Sequence, residues 1–449
     1  MFKRLARTHF HPNPSLSKRW GSKAGEYVMK TQPELITVEN QYDVLEDSVA
    51  PLCRLPYEKQ LEYKEHFIND VIKELRTRVI GFTRKDLEIL PLTPSPVIDH
   101  YRSKDEYNVR MGVDGDPKTY GLFTGRPAVG QVYSIRPIRI PVIKPKHNKI
   151  LEIFEKYVKE NPLPPCYNLN DGGFWRRVVV RSNVHDETML VIYNHPQNHS
   201  RETIEKIERE VVEHFAAHDC HVDSMYHFLS NKVRCDTSNS EVSLIHGKPF
   251  IYETLLDHKF RISPDAFFQI NVKAAEILHE EVMKLAQLKD NTTLLDLCCG
   301  VGTFSITASK HARHCIGIDN SFSSIEDAMH NAVLNNALNC EFMPGNVETR
   351  LKKVLESTYT ISNLVVIANP GRSGLHPRAI EIIRDTSSIK RLVYISCKPD
   401  HVMTRQNFID LMQVNKKKKG VAPFKLKKIK TIDLFPHTYH YEMILLFER

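Results

Sequence analysis

Thr293-Leu294-Leu295-Asp296-Leu297-Cys298-Cys299-Gly300-Val301-Gly302-Thr303-Phe304 passes from an apolar, strand-like run through a Gly-x-Gly loop into the start of a helix. Glycine has no Cβ, so a loop at this junction lets backbone approach a ligand closely. The alternation continues on both sides. Residues 303–312 read as helix, 315–319 as strand and 323–338 as helix, and upstream 266–288 reads as one long helix. Further strands are expected at 364–368, 391–397, 427–434 and 441–447, with helices near 376–388 and 400–413. This rhythm predicts an α/β fold, a doubly wound and mainly parallel sheet with helices on both faces. Ligands of such sheets sit beyond the carboxyl ends of the strands, and the chemistry is expected there.

The residues at those ends are chemically pointed. Asp319 closes the second strand, 23 residues beyond Asp296, where a carboxylate accepts from both ribose hydroxyls of a nucleoside. The third glycine of a dinucleotide fingerprint is missing, with Ser305 in that region, which favours S-adenosylmethionine over a pyrophosphate cofactor. Asn369-Pro370-Gly371-Arg372 ends one strand and Ser396-Cys397-Lys398-Pro399 another. A cysteine there points its sulfur into the crevice, with Lys398 and the following helix start favouring the thiolate. Cys298, Cys315 and Cys340 lie in apolar strand sequence and read as structural thiols. Glu442 opens the last apolar run, and a carboxylate entering such a run has its pKa raised towards that of a general base.

Composition narrows the class. Hydrophobic residues at 41% and charged residues at 26% exclude disordered and collagen-like chains, and no apolar run approaches the ~18 residues of a membrane span. The net charge of +8 is local: residues 1–25 hold six Lys or Arg and no acid, and residues 416–430 hold eight lysines. Phe2, Leu5, Ala6 and Phe10 share a helical face among Lys3, Arg4 and Arg7, followed by Ser15, Ser17 and Ser22. Arg-rich, Ser-bearing and acid-free is the composition of a mitochondrial presequence, so a matrix location is expected. Nine cysteines without regular spacing agree with a reducing compartment. Lys416 to Lys419, and an extended strand over 135–149 carrying Arg136, Arg139, Lys144, Lys146 and Lys149, are the expected phosphate contacts. His214, His218, Cys220 and His221 cluster at a helix end without the spacing of a metal site.

Five ordered blocks resemble the RNA uracil-5-methyltransferases, the TrmA type, which make 5-methyluridine. They are Ser263-Pro264-Asp265-Ala266-Phe267-Phe268-Gln269-Ile270-Asn271, the 295–304 stretch around Gly300 and Gly302, Gly345-Asn346-Val347-Glu348, Tyr394-Ile395-Ser396-Cys397-Lys398-Pro399, and Phe435-Pro436-His437-Thr438-Tyr439-His440-Tyr441-Glu442. Leu55-Pro56-Tyr57-Glu58-Lys59-Gln60-Leu61 points to the eukaryotic tRNA methyltransferase 2 branch, and the presequence to its mitochondrial member. The resemblance covers roughly residues 52–449. It implies a class I S-adenosylmethionine-dependent methyltransferase domain at 263–449, a β-rich RNA-binding accessory domain at 91–262 and a helical region at 26–90, after the targeting segment at 1–25. It implies Cys397 as nucleophile towards uracil C6 and Glu442 as the base that removes the C5 proton. Gln269, Asp319, Asn369 and the loop of Cys298, Gly300, Gly302 and Thr303 would hold the cofactor; Phe268 and Arg372 would meet the substrate. It implies mitochondrial tRNA as partner, at the T-loop uridine (position 54), and admits small-subunit rRNA. It implies no metal or iron-sulfur cluster.

The chain departs from the family in telling places. Relatives carry Asp-Pro-Pro-Arg where Asn369-Pro370-Gly371-Arg372 stands, which exchanges an anionic acceptor for an amide, and Ser-Cys-Asn-Pro where Lys398 follows Cys397. The altered Asn369 supports one rival, a noncatalytic RNA-binding protein that keeps the scaffold; Cys397 and Glu442 oppose it. An amino-group methyltransferase would need an aromatic in the position of Arg372.

Overall fold

The computed structural model describes residues 35–79, 87–126, 130–233, 236–357, 363–414 and 420–449. The basic amino-terminal segment and Lys416 to Lys419 lie outside the described residues. Helices α1 (Gln41–Val49) and α2 (Tyr57–Arg78) and the short strand β1 (Glu88–Ile89) come first. The accessory region then runs β2 (Lys104–Arg110), β3 (Thr119–Arg126), β4 (Gln131–Ile135), α3 (Pro145–Glu160), β5 (Trp175–Ser182), β6 (Thr188–Asn194), α4 (Arg201–Ala217), β7 (Ser224–Leu229) and β8 (Glu241–Gly247). Its seven strands line up as β4-β3-β2-β5-β6-β7-β8. After an antiparallel ribbon, β9 (Ile251–Leu255) and β10 (His258–Ile262), comes the α/β part. It holds α5 (Val272–Ala286), β11 (Thr293–Leu297), α6 (Thr303–Ala308), β12 (His314–Asp319), α7 (Phe322–Leu334), β13 (Cys340–Pro344) and α8 (Val347–Ser357). It closes with β14 (Leu364–Ala368), α9 (Pro377–Asp385), β15 (Ile389–Ser396), α10 (Val402–Met412), β16 (Lys425–Ile432) and β17 (Glu442–Glu448).

The second sheet orders its eight strands β1-β16-β17-β15-β14-β11-β12-β13. Only β17 runs antiparallel to its neighbours, β15 and β16. Strand β11 pairs with β12 on one side and β14 on the other, so the chain reverses direction of travel there and opens a crevice at the carboxyl edge. Leu364-Val365-Val366-Ile367-Ala368 is wholly buried because helices cover both faces, which is why these strands read as unbroken apolar runs. Leu278, Val282 and Phe304 of α5 and α6 pack on one face; Ile68, Val71, Ile380 and Phe408 of α2, α9 and α10 pack on the other. The expected doubly wound sheet is thus present.

Three local expectations change. The region between β4 and Lys149 is not an extended strand: Pro137 and Pro141 lack the N–H a ladder needs, and Pro145 occupies the first helical position of α3. Four of its five cations are engaged within the protein: Arg136 with Glu155 at 2.6 and 2.9 Å, Arg139 with Asp43 at 2.7 Å and Glu46 at 2.8 Å, Lys144 with Ser182 Oγ at 2.8 Å and Lys146 with Asp186 O at 2.7 Å. They do not form a free row for phosphates. The helix expected from 266 begins only at Val272, where the Asn271 side chain accepts from Ala274 N. Lastly, the segment before β2 is divided between the two cores: Val44 and Leu45 of α1 pack with the accessory sheet, and Ile68 to Leu75 of α2 with the eight-stranded sheet.

Candidate active site

The loop after β11 is clasped onto the end of β12. Cys298 N and Cys299 N donate to Ile318 O at 2.8 and 3.1 Å, and Gly300 N donates to the Asp319 carboxylate at 3.0 Å. The other Asp319 oxygen accepts from Ser321 N at 2.8 Å, which fixes the carboxylate at the strand end. Gly302 caps α6 with φ +85°, and a Cβ there would meet the Phe342 ring at 2.8 Å. Gly300, by contrast, has open space where its Cβ would be, so the loop leaves a cradle above it. Beneath it, Asp296 takes Ser305 N and Oγ on one oxygen at 3.0 and 2.8 Å, while its other oxygen is buried without a partner. Burial pushes this carboxyl up to about 7. The open side of Gly300 beside a fixed carboxylate suits a ligand that brings hydroxyls, while the N–H groups of Cys298, Cys299 and Gly300 are already engaged within the protein and are not offered to a phosphate.

Two neighbouring segments complete the rim. Asn369 follows β14, and its N–H donates to Leu297 O at 3.1 Å, placing it beside the β11 loop. The turn after it is tied to α10, where Asn407 Oδ1 accepts from Leu375 N at 2.7 Å and from the Tyr394 hydroxyl at 2.9 Å. The Ser263 to Asn271 block is pinned at three points. Asp327 of α7 receives Ser263 N and Oγ and Arg261 Nε, Arg181 donates to Ala266 O at 2.5 Å, and Asn271 donates to Leu434 O at 3.1 Å. Between the pins, Phe267 is 63% exposed, whereas Phe268 is 6% exposed and packs against Phe260. The ring available to a base in this block is Phe267; Phe268, expected to face the substrate, is a core side chain. Gln269 is half-buried at the rim.

Cys397 follows β15 directly and Glu442 is the first residue of β17. Because these strands are antiparallel with Ser396 opposite Met443, the next residues outward on each strand are Cys397 and Glu442. Topology therefore brings together two groups that are 45 positions apart in the chain. Glu442 is 2% exposed, Oε2 has no hydrogen-bond partner, and burial pushes the carboxyl up to about 8. Burial and then the Glu442 charge push the Cys397 thiol up to about 12, against the lowering fields of Arg372 and Lys398. The thiolate expected from Lys398 and a helix start is not favoured in the free protein: α10 begins only at Val402, and burial outweighs the cations. Burial, and then the same two cations, lower His440 to about 4, so its imidazole is neutral.

Cys298, Gly300, Gly302, Thr303, Asp319, Asn369, Cys397 and Glu442 all line one edge of the sheet, at the ends of β11, β12, β14 and β15 and the start of β17. Arg372 lies close enough for its charge to act on both Cys397 and His440. Three contributors are not singled out by the sequence: Asp296 as an unsatisfied acceptor, Phe267, and the buried polar side chains of α2. The first two stand in motif blocks and the third in and just beyond one, but which side chain turns inward depends on tertiary packing. Among the described residues no group of three or more His, Cys, Asp or Glu is placed to hold a metal ion, and no helix is long and apolar enough to cross a membrane.

A family model described as tRNA (Uracil-5-)-methyltransferase matches residues 56–449. The chain is 38% identical over 431 residues to tRNA (uracil-5-)-methyltransferase homolog B of Danio rerio, covering 93% of this chain and 89% of that protein. Against homolog B of Homo sapiens it is 37% identical over 424 residues, covering 90% and 84%. Among solved structures, Pyrococcus abyssi tRNA (uracil-54, C5)-methyltransferase in complex with S-adenosyl-L-homocysteine matches with TM-score 0.62 at 25% identity, over 88% of this chain and 84% of that one.

Proposed function

The chain belongs to the tRNA (uracil-5-)-methyltransferase family, and from that premise we propose that it uses S-adenosylmethionine to form 5-methyluridine in mitochondrial tRNA, with Cys397 as nucleophile and Glu442 as base. The observation that carries the reading is the Cys397–Glu442 juxtaposition at the β15–β17 end, where a thiol lies within the field of a buried carboxyl whose Oε2 has no partner, at the same sheet edge as the Gly300 loop.

Uracil C5 is a poor nucleophile until a group adds at C6. The Cys397 sulfur forms a bond to C6, and the C5–C6 electron pair moves into an enolate centred on C5 and O4. S-adenosylmethionine, when bound, supplies an electrophilic methyl on a sulfonium cation. Transfer of that methyl to the C5 electron pair, with the S–CH3 bonding pair leaving on S-adenosylhomocysteine, would leave C5 carrying both a methyl and a proton. Glu442 removes that proton, the C5–C6 double bond re-forms, and the C6–S bond breaks to return Cys397. Both residues must be ionised at their steps, and both are held protonated by burial in the free protein. A cationic ligand bound beside them favours both anions.

Asp319 and the Cys298, Gly300, Gly302 and Thr303 loop would hold the nucleoside, with Asn369 and Gln269 at the rim and Asp296 satisfied through the site. Arg372 and the exposed Phe267 would meet the RNA. Position 54 is supported by the name of the Pyrococcus relative, and the matrix location by the acid-free, amphipathic composition of residues 1–25. The test is to incubate the full chain with methyl-labelled S-adenosylmethionine and a mitochondrial tRNA transcript, then digest to nucleosides. Label in 5-methyluridine at position 54 is expected; tight RNA binding without label would favour the noncatalytic reading.

A further inference from the structure

Lys64 and Asp433 form an ion pair at 2.6 Å in which both side chains are fully buried. Asp433 begins the loop that leads from β16 to Glu442, and α2 shares the anchoring of that loop's first half with Thr93 O, Asn271, Tyr101 and Asp99. Lys64 Nζ also donates to Phe435 O at 3.0 Å, and the Tyr57 hydroxyl donates to the second Asp433 oxygen at 3.0 Å. Gln60 Oε1 accepts from His437 N at 2.7 Å, and Gln60 Nε2 lies 3.2 Å from His437 Nδ1. Just ahead of α2, Leu52 N donates to His437 O at 3.0 Å. His437 itself holds φ +67°, a left-handed conformation rare for a residue with a side chain. A fully buried ion pair is a poor source of net stability, since the desolvation of two charges offsets their attraction; its strength is in fixing one geometry. Glu442 needs such fixing, because its buried Oε2 has no hydrogen bond of its own to hold the carboxyl in place.

Resting on the proposed function, we propose that Lys64, with Tyr57 and Gln60, is a positioning residue for Glu442: the amino-terminal helix sets the backbone from which the base removes the C5 proton. Lys64 is itself fully buried, bonded to Asp433 and Phe435 O. It acts through Asp433 and the loop, so its loss slows elimination more than addition, and a methylated protein–RNA adduct builds up on ordinary uridine.

The experiment uses the full chain, S-adenosylmethionine and unmodified T-arm RNA, and compares wild type with the paired replacement Lys64→Met and Asp433→Leu, which leaves no orphaned charge. We expect KM for RNA within about threefold of wild type, kcat lower by about tenfold or more, and a denaturation-resistant adduct absent from wild type. An unchanged kcat, or a loss of kcat with no adduct, would overturn the assignment. If the paired variant does not fold, Tyr57→Phe, which removes one hydroxyl without changing shape, serves instead: a fall in kcat of about threefold with an adduct supports the role, and wild-type kcat rejects it. A wild-type protein that forms no 5-methyluridine would instead sink the functional reading on which this rests.

Discussion

Cys397 and Glu442 are the residues immediately outside the last cross-strand pair of β15 and β17, Ser396 with Met443. An antiparallel strand inserted in an otherwise parallel sheet puts the carboxyl end of one strand against the amino end of the next. A nucleophile placed after one strand and a base placed at the start of the other therefore share a wall of the crevice. Their mutual burial sets the protonation of both.

The first consequence concerns the thiol. With Cys397 pushed up to about 12, alkylation by iodoacetamide in the free protein rises about tenfold per pH unit from about pH 7 to 9. Peptide mapping isolates Cys397 from Cys298, which is also pushed to about 12 by burial. A rate that is already flat at neutral pH would mean that Lys398 activates the thiolate after all.

Glu442 carries a stability signature. Burial pushes its carboxyl up to about 8 from an ordinary value of 4.5, so between those values the unfolded chain has released a proton that the folded one keeps. Stability is therefore lost as pH rises through this window, by up to about 4–5 kcal/mol as an upper bound. Glu442→Gln removes the titration: its melting temperature exceeds that of wild type by a margin that grows from about pH 5 to about pH 8. A margin independent of pH would place Glu442 in a more polar setting than the structure shows. The same variant should turn over at least about 10²-fold more slowly.

How far the sequence reveals this depends on range. Leu364 to Ala368 and Thr293 to Leu297 are continuous buried runs, and their strands are readable because both faces are apolar. The crevice residues are legible because they stand where such strands end. Lys64 and Asp433 lie 369 positions apart, and no periodicity or spacing announces their pairing. Phe267 and Phe268 are adjacent and alike; only the pinning of Ala266 and the packing on Phe260 decide which turns outward. The thiol's protonation departs from expectation for a similar reason, since a neighbouring lysine is visible in sequence and the depth of burial is not.

The cofactor cradle is tested by two substitutions. Gly302→Ala must hold φ near +85° and displace the Phe342 ring, so it should lower stability by about 1–3 kcal/mol and weaken binding of S-adenosylhomocysteine in calorimetry. Asp319→Asn keeps the size but removes the charge and one of the two acceptors that hold Gly300 N and Ser321 N, so it should weaken that ligand by about 10–100-fold and lower stability by about 1–3 kcal/mol. Unchanged affinity in both would move the nucleoside elsewhere.

Lys416 to Lys419, outside the described residues, are assigned to RNA phosphates from sequence. Replacing all four by serine should weaken tRNA binding and reduce the slope of log affinity against log salt by about 0.7–0.9 for each phosphate that is no longer neutralised. Single-turnover methyl transfer at saturating RNA should be retained. A salt slope equal to that of wild type would remove this run from the interface.

The reaction's covalent step is tested most directly by a trap: full-length protein, S-adenosylmethionine and T-arm RNA carrying 5-fluorouridine at the target position. Fluorine cannot leave C5 as a proton does, so elimination stalls with sulfur still bonded to C6. The expected result is a denaturation-resistant protein–RNA adduct, with the RNA on the peptide containing Cys397, that disappears in Cys397→Ala. No adduct with RNA demonstrably bound, or an adduct that survives Cys397→Ala, would contradict the assignment of Cys397 as nucleophile.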